Sequence, residues 1–108
     1  MRDYLIQVAY TPEATAALVR KPQNRIKSVT PVIEKLGGKV IGGGICFGEY
    51  DVVLLVSLPD NASAAALSFT FASGGALRAV KTTPLLSASE AIKGMKMASQ
   101  SNYKPPKG

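Results

Sequence analysis

The 108-residue sequence predicts an α+β domain, and three observations carry that reading. Short runs of alternating or continuous apolar residues are interleaved with segments of helical periodicity, which separates strands from helices. Their order is strand, helix, strand, strand, helix, strand, which suits one four-stranded antiparallel sheet with the helices on one face. The run Val52-Val53-Leu54-Leu55-Val56 has no polar residue in either parity, so both faces of that strand are expected to be covered.

The first strand is expected from Asp3 to Tyr10, with Tyr4, Ile6, Val8 and Tyr10 on one side and Leu5, Gln7 and Ala9 on the other. Thr11-Pro12-Glu13 offers an N-cap, a proline at the first helical position and an acid in the first turn of a short helix to about Arg20. A longer helix is expected from Pro22 to Leu36, with Ile26, Val29, Ile33 and Leu36 on its apolar face. Pro31 within it would cost ~3 kcal/mol unless a kink or restart absorbs it, and Thr30 stands where a second segment would be capped. Gly37-Gly38 ends the helix. Lys39 to Phe47 is expected as an edge strand whose Gly42-Gly43-Gly44 run favours a bulge or bend. Gly48-Glu49 then turns tightly into a strand from Tyr50 to Leu58.

Asp60 is placed to cap a helix from Asn61 to about Ser73, with Ala62, Ala65, Ala66 and Phe69 toward the sheet. After Gly74-Gly75 a fourth strand alternates from Leu77 to Thr83 and reaches Leu86 with a break at Pro84, which favours an edge position. Ser87 and Glu90 form a capping box for a last helix to about Ser99, docked by Ile92, Met95 and Met97. Residues 1–99 are therefore expected to form one domain and 100–108 a flexible basic tail. The whole is a ferredoxin-like βαββαβ arrangement with strand order 4-1-3-2, helices on one face and an extra C-terminal helix. A lone copy would leave the second sheet face in water. A second copy packed ~10 Å away would cover it, giving a dimeric α/β barrel as a homodimer or higher homo-oligomer.

Composition narrows the functional classes. The chain has no histidine and one cysteine, Cys46, which leaves no intramolecular disulfide, no cysteine-rich zinc site and no Ser-His or Cys-His pair. Metal or haem ligation is not suggested, and no cofactor is expected. No apolar segment approaches the roughly 20 residues that span a bilayer, and the N-terminus is too short and polar for a secretory signal, so a soluble cytoplasmic protein is expected without membrane contact. The net charge of +6 suits an anionic metabolite or nucleic acid. The chain has only four Tyr and three Phe, and its central strands offer aliphatic side chains where bases would stack, so RNA binding ranks last.

The segment Phe47-Gly48-Glu49-Tyr50-Asp51-Val52-Val53, with Thr82-Thr83-Pro84-Leu85-Leu86, resembles the GYD domain family of small bacterial and archaeal proteins. The likeness extends over about Tyr4 to Glu90 and takes in Thr11-Pro12-Glu13 and Leu36-Gly37-Gly38-Lys39. It implies a ferredoxin-like domain of the dimeric α/β barrel type and no established activity. The candidate ligand-binding residues are Tyr4, Arg25, Glu49, Tyr50, Asp51 and Thr82; no catalytic residue is assigned. Glu49 and Asp51 flank Tyr50 and, as paired carboxylates, would serve as acid and base, while a structural Asp51 would instead bond local amides. Arg25, Arg78 and Lys81 with Thr82 and Thr83 would suit an anion, and as edge charges they would also discourage aggregation. The leading expectation is a small-molecule-binding or regulatory module with the ligand between sheet and helices. The alternative is a cofactor-poor enzyme of the oxygenase or isomerase type, on fold analogy.

Overall fold

A computed structural model describes residues 1–107. It forms β1 (Arg2–Tyr10), α1 (Pro12–Arg20), α2 (Arg25–Lys35), β2 (Lys39–Ile45), β3 (Val52–Leu58), α3 (Asn61–Ser73), β4 (Leu77–Pro84) and α4 (Ala88–Ser99). Every strand pairing is antiparallel and the order is β2-β3-β1-β4, the ferredoxin-like order expected from the sequence. Residues Ser101 to Lys107 carry no regular element; Gly108, the last residue of the expected tail, lies outside the described residues.

Residues directly opposite one another on antiparallel strands share a face. Tyr4, Ile6 and Val8 pair with Val56, Leu54 and Val52, and this set faces the helices, where Ile33 of α2 and Ala64 and Leu67 of α3 complete the core with Leu58. Tyr4, Ile6, Ile33, Val56, Leu58 and Leu67 are fully buried, each worth about 1.5–3 kcal/mol of apolar transfer for a side chain of this size. The other face carries Leu5, Gln7, Ala9, Val53, Leu55 and Ser57, with Lys81 and Thr83 of β4 beside them. Leu5, Val53 and Leu55 are only half-buried there.

Local chemistry fixes the element ends. Thr11, Asn24, Asp60 and Ser87 cap the four helices, each accepting a bond from a backbone N–H of the first turn. The Asp60 carboxyl also accepts from the Ser63 hydroxyl, and these Ser63 donors hold its pKa below the usual value. α2 ends in a Schellman arrangement: Gly38 N–H bonds the Ile33 carbonyl at 3.0 Å and Gly37 N–H the Glu34 carbonyl at 2.9 Å. Gly37 there takes φ +85°, which a Cβ would disfavour. In β2 the register shifts between Val40 and Gly42, leaving Ile41 as the extra residue of a bulge. Gly43 follows at φ +137°, and a Cβ on it would run into the Val53 carbonyl oxygen.

Five local expectations are corrected. α2 starts at Arg25 rather than Pro22, because the Asn24 side chain caps Lys27 N–H at 3.1 Å. Thr30 does not recap the helix at Pro31; its hydroxyl bonds the Ile26 carbonyl at 2.7 Å and α2 runs on through the proline. β3 starts at Val52 rather than Tyr50, since Asp51 is drawn to the end of β1, and the connection from β2 is longer than a two-residue turn. α3 buries Ala64 and Leu67 instead of Ala62, Ala65 and Phe69, and Phe69 is 73% exposed. Small apolar residues surround the axis of α3, so periodicity does not set its phase, and the larger aliphatic Leu67 takes the core position. Lastly, α4 has no buried residue: Ile92, Met95 and Met97 are all exposed. A radius of gyration of 17.4 Å, against about 13 Å for a compact chain of 100 residues, reflects α4 and the tail lying off the body.

Candidate functional site

α2 and α3 both pack on the helix-side face of the sheet, and between them lies a largely apolar cleft of about 290 Å³. Its floor is Ile6 and Val8 of β1 with Val52 and Leu54 of β3, all of which belong to the buried core set. Val29 and Val32 of α2 form one wall, and Thr70 and Phe71 of α3, with Leu77 at the start of β4, form the other. The phase of α3 is what brings Phe71 inward, three and four residues being the steps that keep Ala64, Leu67 and Phe71 on one face. Tyr10, Arg25 and Ser28 supply polar groups along the lining. Ser28 and Thr70 spend their hydroxyl protons on helix carbonyls, those of Asn24 and Ala66.

Arg25 is the one charged residue of this lining. It is the first residue of α2, half-buried, and its Nη1 donates to Gln23 Oε1 at 2.9 Å. The ion pair present among the described residues joins Arg2 to Glu90 at 3.8 Å, between two side chains more than half exposed, and a pair of that kind contributes ~1 kcal/mol or less. No carboxylate comes within 4.0 Å of Arg25 among the described residues.

The other candidate residues sit elsewhere. Asp51 is placed by the β2–β3 connection so that its Oδ2 accepts from Tyr10 N–H at 2.8 Å while its own N–H donates to the Val8 carbonyl at 2.8 Å. This locks the start of β3 to the end of β1. Glu49 is exposed, and its carbonyl accepts from Arg78 Nη2 at 3.0 Å. Tyr50 is half-buried with its carbonyl taking the Cys46 thiol at 3.2 Å. Tyr4 is 2% exposed and donates its hydroxyl to Asn61 Oδ1 at 2.6 Å, tying β1 to the start of α3. Thr82 Oγ1 lies 2.7 Å from Ser68 Oγ and ties β4 to α3. The structure thus brings Arg25 to the cleft and puts Tyr4, Asp51 and Thr82 into contacts that join elements. The Arg78, Lys81 and Thr83 set is not gathered with Arg25, since Lys81 and Thr83 lie on the face away from the helices.

Sequence reasoning places a ligand between sheet and helices but does not name the walls. Val29, Val32 and Phe71 read as ordinary core residues, and only the phase of α3 separates a wall from an outer face. Among the described residues no group of three or more His, Cys, Asp or Glu side chains is arranged to hold a metal ion, and no helix is long and apolar enough to cross a membrane. The family model of the GYD domain matches residues 4–95 of the chain. No curated protein matches it.

Proposed function

The chain belongs to the GYD domain family, and for this member we propose the role of a cytoplasmic, homo-oligomeric module that binds a small molecule in the cleft between the sheet and α2 and α3. The observation that carries this reading is the cleft itself. At about 290 Å³ it lies just below the roughly 300–1,000 Å³ range of ligand pockets, and it has the usual composition of apolar walls with a few polar groups. The acids of the β2–β3 connection support binding over catalysis: Asp51 is engaged with the Tyr10 amide, and Glu49 is in solvent.

Self-association draws on the opposite face. Leu5, Val53 and Leu55 stand half-buried between the buried Ala9 and Ser57, and a second sheet at ~10 Å would cover these three and remove their apolar area from water. A thermal-shift screen of metabolites tests the binding role. A ligand at 100 times its dissociation constant stabilises the folded state by about 2.7 kcal/mol, enough for a rise of several degrees in a domain of this size. A flat response across the library from well-folded protein would contradict the role.

A further inference from the structure

We propose that the cleft selects a small apolar monocarboxylate, whose chain or ring lies between Val29 and Phe71 and whose carboxylate rests on the guanidinium of Arg25. This rests on the binding role assigned to the cleft above. The first support is the charge balance. Arg25 stands at the lining of an apolar cleft, is itself half-buried, and has no carboxylate of the described chain within 4.0 Å. A guanidinium offers five N–H donors in a fixed fork; Gln23 Oε1 takes one on Nη1, and Nη2 and Nε remain to meet two oxygens of a planar carboxylate.

The second support is the local field. The first turn of α2 has no acidic side chain, in contrast to α1 with Glu13 and α4 with Glu90, so an anion near Arg25 meets the positive end of that helix without competition from a neighbouring acid. The third is stoichiometry of charge. One cation lines the cleft, and Lys81 is held on the far side of the sheet, which matches a single negative charge better than a phosphate dianion. The last is size. A cleft of about 290 Å³ suits a small acid such as octanoate or benzoate rather than a long-chain lipid.

The experiment titrates the full chain with octanoate, benzoate, 1-octanol and inorganic phosphate, reading the methyl and aromatic NMR signals of Val29, Leu54 and Phe71, for wild type, Arg25→Gln and Arg25→Lys. The expected result is saturable shifts with the two carboxylates, weaker binding of the alcohol, none of phosphate, and a loss of about tenfold or more in carboxylate affinity in Arg25→Gln, partly restored in Arg25→Lys. Arg25 is half-buried and outside the core cluster, so both variants should keep the wild-type spectrum elsewhere, which the same spectra check. If 1-octanol binds as tightly as octanoate and Arg25→Gln changes nothing, carboxylate selection is wrong while the cleft remains a binding site. If no probe shifts those signals, the assignment of an apolar acid fails, and a flat metabolite screen on the same protein would then remove the cleft as well.

Discussion

Both faces of the sheet carry branched aliphatic residues on the central strands, yet they end in different states. On the helix side, Ile6, Leu54 and Val56 are between 0% and 2% exposed under α2 and α3. On the other side, Leu5, Val53 and Leu55, each a strand neighbour of one of these, remain half-buried. A chain of this size covers one face with its own helices, and the cleft at Arg25 opens in that cover. The other face has an apolar surface that only a further layer would bury. Under the proposed function, the helix side would recognise a small molecule and the opposite side would self-associate.

α3 offers the sharpest way to break this contrast, because its inner and outer faces are equally apolar in sequence. Leu67→Ala is expected to cost about 2–5 kcal/mol in urea unfolding, since Leu67 is fully buried and the gap left behind would collapse only in part. An intermediate loss, about 1.5–3 kcal/mol, is expected for Asp51→Ala, which removes a charged acceptor from Tyr10 N–H. Asp51→Asn keeps an acceptor there and should recover part of the loss. Phe69→Ala should change stability by no more than about 0.5 kcal/mol, its ring being 73% exposed. A Phe69 variant as damaged as the Leu67 variant would mean that α3 is turned the other way and that Phe71 does not line the cleft.

The strand order, edge glycines, capping box and the caps of α1 and α3 could be read from the sequence because each rests on local chemistry: Thr11 and Asp60 before helices, Gly37-Gly38 after one, and Pro84 at an edge. The phase of α3 could not, because residues 61–73 are mostly Ala, Ser, Thr and Phe with apolar positions all around the axis. The start of β3 was hidden for a different reason. Asp51 looks like part of an acidic pair in sequence, and its bond to Tyr10 N–H spans 41 residues, a contact that no local pattern encodes. Of the candidate site, Arg25 was named in the sequence as a candidate anion contact, and the structure places it at the cleft. Its apolar surroundings were not, since walls and core share a composition. α4 shows the limit of periodicity as well: Ala88, Ala91, Ile92 and Met95 make a stripe, yet the chain's own body does not bury it.

The proposed division of labour between the two faces is tested most directly by the mass in solution of the wild-type chain and of Leu55→Asp and Val53→Asp, measured by light scattering. Both positions lie on the face away from the helices, where a partner sheet would have to desolvate the new charge. The expected result is a wild-type mass at twice the 11.3 kDa of one chain or a higher multiple, and a fall to single chains or aggregates in the variants. A wild-type mass of one chain, or an unchanged oligomer in both variants, would contradict self-association through the sheet.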